Sequence, residues 1–276
     1  MKKSFVPKKL RTVSALAVLV AGMVSQASAA PLFTIDPAAL GGPAALQTAD
    51  FISGFSSELL TLNGNTNTAT GSGWLQFTGF SDNGAAVLPG QSGLGVDYQL
   101  YLTFDIATSL TDGTFGAPNS NYDITMLNFS MFGDTGLDTV FTAANSVTST
   151  DATVAVGTAD TLLGTGSLIP SFLNDAGFDS GFGAFVNAFT TFDITTPAGT
   201  SFFVDPVPFY TLAFSAFNNT SQGVVRTGDC APNCEISVNN AIGGVDFNQV
   251  PEPGTLALLG LGLMGLGASS RKRKKT

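Results

Sequence analysis

Trp74-Leu75-Gln76-Phe77-Thr78-Gly79-Phe80 alternates along its length with a period of two. Successive side chains of a strand point to opposite faces, so Trp74, Gln76 and Thr78 fall on one side and Leu75 and Phe77 on the other. The same period returns over 98–106, 122–132, 182–194 and 209–217, with Phe as the main apolar residue. Within 122–132, Ile124 and Met126 are followed out of phase by Phe129 and Met131, which predicts a bulge near Leu127 and Asn128. Asp82-Asn83-Gly84, Asp112-Gly113 and Gly133-Asp134 supply turn chemistry between these runs. Short strands at this spacing, with no sustained helical period, predict an all-β fold: an antiparallel β-sandwich or jelly roll.

Two stretches are less regular. Residues 38–46 are Ala-rich and suit a short helix, while 160–169 is an apolar run too short to assign by period. Thr103-Phe104-Asp105-Ile106 returns as Thr191-Phe192-Asp193-Ile194. A single return of four residues defines no repeat architecture and reads as two similar edge strands. No Pro/Ser-rich linker divides the body, so residues 30–249 form one domain.

The two ends are of another kind. Lys2, Lys3, Lys8, Lys9 and Arg11 precede an apolar run over 13–24, and Ala27-Ser28-Ala29 follows. This is the layout of a secretory signal peptide over 1–29, cleaved after Ala29. Residues 250–276 hold three unlike pieces: Pro251-Glu252-Pro253, an apolar segment from Gly254 through Leu261 to Ala268, and the cations Arg271, Lys272, Arg273, Lys274 and Lys275. The two prolines keep the hinge extended and accessible. As a helix the apolar segment covers roughly 22 Å, less than the roughly 30 Å hydrocarbon core, and the cations behind it favour the cytoplasmic side. Gly260, Gly262 and Gly265 spell GxGxxG, but the strand, helix and acidic residue that a dinucleotide site requires do not fit before the chain stops.

The tripartite tail resembles the PEP-CTERM sorting signal, a single hydrophobic sorting helix behind a Pro-Glu-Pro hinge. The resemblance implies processing by an exosortase-type enzyme, transient anchoring in the inner membrane, and delivery to the cell surface or extracellular matrix.

Charge is divided between ends and body. Five of the eleven cations lie in the signal peptide and five in the tail, leaving Arg226 between Ala30 and Val250. Nineteen carboxylates share that span with it, a formal charge of −18. Nucleic acid requires a cationic patch, which this body lacks. There is no His anywhere and no Lys in the body, which removes Ser-His-Asp, Cys-His, Ser-Lys and Schiff-base chemistry and His-based zinc sites. The expectation is a protein that is not an enzyme and needs no cofactor.

Carboxylates are what remain. Asp97, Asp105, Asp123 and Asp193 sit on or beside strands and offer the raw material of an Asp-based glycoside hydrolase, which needs two carboxyls facing across an aromatic-lined cleft. Among glutamates the body has only Glu58 and Glu235. Asp82-Asn83-Gly84, and Asp134 with Asp138, are loop positions where oxygens suit Ca²⁺, though no EF-hand pattern is present and ordinary turns explain them as well. Cys230 and Cys234, the only cysteines, lie in an exported segment and read as a small disulfide loop. Trp74 is a possible glycan contact: a lone Trp in an alternating strand is commonly core, yet its place beside Gln76 and Thr78 favours exposure.

A second resemblance runs through the body. Gly73–Phe80, Phe141-Thr142-Ala143-Ala144-Asn145-Ser146-Val147, Pro206-Val207-Pro208-Phe209-Tyr210-Thr211, and the run from Phe217 to Arg226 are similar to the flocculation-associated PEP-CTERM protein family. It implies an exported protein that acts with exopolysaccharide in floc formation, and it implies no binding residues. A lectin-like module using Trp74 and Ca²⁺ is the alternative.

Overall fold

The structure, a computed structural model, describes residues 31–157, 160–170, 172–219 and 223–248. The signal-peptide region 1–29 and the sorting segment 250–276 lie outside the described residues. The strands in chain order are β1 (Phe33–Ile35), β2 (Gln47–Ala49), β3 (Phe51–Asn63), β4 (Thr68–Asp82), β5 (Ala85–Val87), β6 (Gln99–Asp112), β7 (Ser120–Asp134) and β8 (Val140–Thr142). They continue with β9 (Thr153–Ala155), β10 (Asp160–Ser167), β11 (Asp175–Phe178), β12 (Ala184–Thr191), β13 (Phe203–Asp205), β14 (Leu212–Asn218), β15 (Val224–Thr227) and β16 (Asn233–Asn248). Every strand-to-strand pairing among them is antiparallel, so the all-β expectation holds.

The main sheet closes on itself instead of forming two separate layers. Pairing runs β3-β4-β6-β7 and, from the other edge of β3, through β16-β14-β12. Both arms meet at β10 and β11, which together act as one interrupted strand. One half of β7 pairs with β10 and the other half with β11, and β12 pairs β11 and bridges to the β10 side through Thr165–Asp193 and Leu168–Thr190. Asn174 spans the interruption: its Nδ2 donates to the carbonyls of Ile169 (2.9 Å) and Phe172 (3.0 Å), and its Oδ1 accepts from the Phe189 N–H (2.7 Å). The result is an eight-position barrel, β3, β4, β6, β7, β10/β11, β12, β14 and β16. The sandwich or jelly roll expected from the sequence fails at this junction, because strand period carries no information about which edges meet.

One end of the barrel is plugged by aromatic packing. The start of β3 (Ile52), the end of β4 (Phe77, Phe80), the start of β6 (Leu100), the end of β7 (Met131) and the end of β16 (Phe247) share a cluster with Phe33, Ile35, Phe202 and Phe203. Antiparallel neighbours bring these strand ends to the same rim. The small sheet β13-β1-β2 and the helix Pro197–Phe202 contribute the plug. Phe192 lies in the same cluster, within ring contact of Phe129, Phe203, Phe209 and Phe247.

Several local expectations change. The bulge in β7 falls at Thr125, two residues earlier than the pattern suggests: Ala107 pairs with Met126 and Thr108 with Ile124. The extra residue turns Met126 outward and Leu127 inward. Residues 160–169 contain the strand β10, and the Ala-rich 38–46 region holds only a 3-10 turn, Pro37–Leu40, closed by Gly41 at φ 82°. Gly133 and Asp134 end a strand instead of making a turn. The two Thr-Phe-Asp-Ile stretches are not edge strands, since β6 is paired on both sides and Phe192 is buried.

Candidate functional site

The connection from β7 to β10 shapes the outer surface. Residues 139–155, including the β8–β9 hairpin, cross the outside of β3, β4 and β16 as a strap. Its polar fastenings are specific. Ser57 Oγ accepts from the Ala144 N–H at 2.9 Å and donates to Asn239 Oδ1 at 2.5 Å, while Asn239 Nδ2 donates to the Ala144 carbonyl at 3.0 Å. Ser146 Oγ donates to the Val225 carbonyl at 2.8 Å.

Trp74 lies beneath this strap and is 4% exposed. Its indole N–H donates to the Thr142 carbonyl at 2.9 Å, and its ring packs on Phe141 and Phe55. Trp74 does point outward with Gln76, as alternation requires, but Phe141 covers it. The reading of Trp74 as a glycan contact is therefore overturned. Its outward position was legible, whereas the cover comes from a segment 68 residues away. Three of the stretches that carry the flocculation resemblance, around Trp74, Phe141–Val147 and Val225, meet at this strap.

Where the strap leaves and rejoins the barrel, Asp134, Asp138 and Asp160 bring carboxylate oxygens within 4.8 Å of one another. The Asp134–Asp138 pairing expected from the sequence is present, and Asp160 joins it because Asp160 and Asp134 are register partners on β10 and β7. Asp134 is fully buried. Its Oδ1 accepts from the Gly136 and Leu137 N–H groups at 2.7 and 3.0 Å, and its Oδ2 from the Thr139 N–H at 3.0 Å. Burial alone would raise its pKa, but these bonds to the charged form outweigh it and hold the carboxyl below the usual range. Asp160 Oδ2 accepts from the Tyr101 hydroxyl at 2.5 Å and the Thr139 hydroxyl at 2.9 Å. Its Oδ1 is buried without a hydrogen-bond partner among the described residues. Burial, followed by the bond to Asp160, raises the Tyr101 pKa.

The other Ca²⁺ candidate resolves differently. Asp82 pairs with Ala85, so Asn83-Gly84 is the two-residue loop of the β4–β5 hairpin, with φ of 50° and 80°. Positive φ at both positions is the type I′ geometry for which Asn-Gly is preferred. The Asn83 N–H donates to Asp50 Oδ2 at 3.0 Å, and its Nδ2 to Asp82 Oδ1 at 2.6 Å.

The aspartates weighed as hydrolase carboxyls are not brought together. Asp105 is in β6 opposite Asn128, Asp123 is in β7 opposite Ser109 and Asp175, and Asp193 lies past the end of β12 opposite Thr165. Asp97 lies in the loop before β6. Asp105 and Asp193 are separated by β7 and β10 in the ring. Glu235 pairs with Thr61 and Thr227 in β16. Cys230 and Cys234 do form a disulfide, as expected.

Glu58, the other body glutamate, was named from the sequence, but its inward place was not foreseen. It projects into the barrel and is 6% exposed. One register line runs through Val238, Glu58, Gly73, Phe104, Phe129 and Gly166 on six successive strand positions. Gly73 leaves no side chain opposite Glu58, and the Phe104 ring lies over it. Phe129 covers Gly166, and Phe185 covers Gly177, in the same way. Burial pushes the Glu58 carboxyl up to about 7. An inward glutamate among these residues carries one sequence signal, an acidic residue at even spacing from Ser56, Leu60 and Leu62.

Residues 249–273 match the family model of the PEP-CTERM protein-sorting motif. No curated protein and no solved structure matches the chain. The motif covers Pro251, Glu252 and Pro253, the apolar segment and the cations through Arg273, and it supports export with membrane-linked, exosortase-type processing toward the cell surface. Among the described residues no helix is long and apolar enough to cross a membrane.

Proposed function

We propose that the chain is an exported, non-enzymatic matrix protein that acts with exopolysaccharide in floc formation. The signal peptide is removed after Ala29, an exosortase-type enzyme acts at Pro251-Glu252-Pro253 during transient inner-membrane anchoring, and the acidic barrel is displayed or released. The observation that carries this reading is the sorting-motif match at 249–273. The composition supports it: a body of charge −18, without His or Lys, is well suited to staying hydrated among polysaccharide and poorly suited to familiar catalysis.

Deleting 250–276 from the chromosomal copy tests it. The expected outcome is a protein still exported by its signal peptide, in a strain that no longer forms flocs. Normal flocs from that strain overturn the reading. Mass spectrometry of the mature C-terminal peptide reads the processing step directly, with an end at or near the Pro-Glu-Pro hinge as the expected result.

The lectin-like alternative loses Trp74 and keeps one specific observation, the convergence of Asp134, Asp138 and Asp160 with a buried acceptor open on Asp160. Carboxylate oxygens are the ligand type calcium prefers. Under this reading millimolar CaCl₂ raises Tm and EDTA reverses the change; an unchanged Tm removes it.

A further inference from the structure

The interior of the barrel is underfilled where Glu58 enters it. A void of about 60 Å³ is walled chiefly by apolar side chains, with Ser56, Ser215 and Glu58 as its polar groups. A second void of about 30 Å³ adjoins it and shares Glu58, Ile106, Ala184, Phe185 and Val186. One water occupies a cavity of only roughly 15 Å³, so the larger void has room for more than a single solvent molecule. The wall includes side chains of β3, β4, β6, β7, β12, β14 and β16, so the space is the barrel's own lumen. Barrels of about eight strands have interiors just wide enough to be filled by side chains or to hold one small ligand. Two lumen positions on the Glu58 register line, Gly73 and Gly166, carry no side chain of their own and are covered instead by the rings of Phe104 and Phe129.

Glu58 borders both voids, and among the described residues no hydrogen bond or ion pair is made by its carboxyl. A buried polar group without a partner is costly and needs an explanation. Glu58 has no cationic partner there: among the described residues Tyr122 is the only other titratable group on the two walls, and its hydroxyl already accepts from the Gly116 N–H. We propose that the barrel lumen is a binding site for a small neutral amphiphile, an apolar body with a single hydroxyl or amide head that hydrogen-bonds to Glu58. The apolar wall takes the body. Glu58, held neutral up to about pH 7 by burial, offers the head both a donor and an acceptor. A neutral head avoids the desolvation that an ammonium would suffer in the same place.

The chain has three glutamates, Glu58, Glu235 and Glu252, so a ¹³Cδ-glutamate label on the purified full chain gives a nearly isolated signal for this carboxyl. Cyclohexanol, cyclohexylamine and cyclohexane, titrated at pH 6, share one apolar body and differ in the head. The expected result is a saturable Glu58 shift with cyclohexanol, weaker binding of the other two, and at least a fivefold loss of cyclohexanol affinity in Glu58→Leu. Glu58→Gln keeps a neutral donor and acceptor and should bind within twofold of the wild type, while Ala184→Leu, which fills both voids, should abolish binding. Binding by Glu58→Leu equal to the wild type, tighter binding of cyclohexylamine or cyclohexane, or no saturable shift in the wild type overturns the proposal.

Discussion

Asp134 and Glu58 are both buried carboxyls on long strands of the same barrel, and they are treated oppositely. Asp134 receives three backbone N–H groups and is held ionised, whereas Glu58 faces the lumen unpartnered and is pushed up to about 7. Burial disfavours the charged form in both cases, and what decides the outcome is whether donors have been placed around it. Asp134 thus fastens the exit of the strap, while Glu58 is a polar group held in reserve.

The comparison breaks most sharply at Asp134. Asp134→Ala removes three bonds to a charged acceptor, from the buried Thr139 N–H and the more exposed Gly136 and Leu137 N–H groups, and the expected loss is about 4 kcal/mol of unfolding free energy, read from urea midpoints at pH 7. Loosening should begin at the strap, so limited proteolysis should cut within 139–157 before the barrel opens.

Glu58 tests the other half. Its folded pKa of about 7 lies above the ordinary glutamate value of 4.5, so its contribution to stability is fully present below about pH 4.5 and is lost as pH rises through 7. The full difference corresponds to about 3 kcal/mol, using roughly 1.4 kcal/mol per pKa unit. Glu58→Gln should therefore be close to wild-type stability at pH 4.5 and gain on it steadily between pH 5 and 8. Parallel pH profiles for the two proteins would show that the lumen is better solvated than the structure indicates.

The smallest effect concerns the cover of the strap. Trp74→Phe keeps an aromatic ring against Phe141 but removes the donor to the Thr142 carbonyl, and the expected cost is about 1 kcal/mol. A shift in Tm of a few degrees checks it, and a neutral substitution would mean that water replaces the indole N–H.

Much of the fold was legible in period and turn chemistry. Alternation around Trp74 sorted its two faces correctly, and Asn83-Gly84 is the hairpin turn its residues suit. The β7 bulge was visible as a change of phase, though its position shifted because the outward Met126 looks apolar in sequence. The strap was not legible, because its few short pairings and side-chain bonds have no period of their own. Nor was the lumen, since an inward glycine and a loop glycine look alike until the register line through Glu58, Gly73 and Phe104 is drawn.

Sequence by itself determined what local rules and counting can reach: an all-β body, a matched sorting motif at its end, the distribution of charge, and the catalytic chemistry that a chain without His and with one body cation lacks. The tertiary structure decided closure of the ring, the cover over Trp74, and the contrast between Asp134 and Glu58. Those depend on which distant edges, donors and glycines meet, and strand period reports only the face on which a side chain lies.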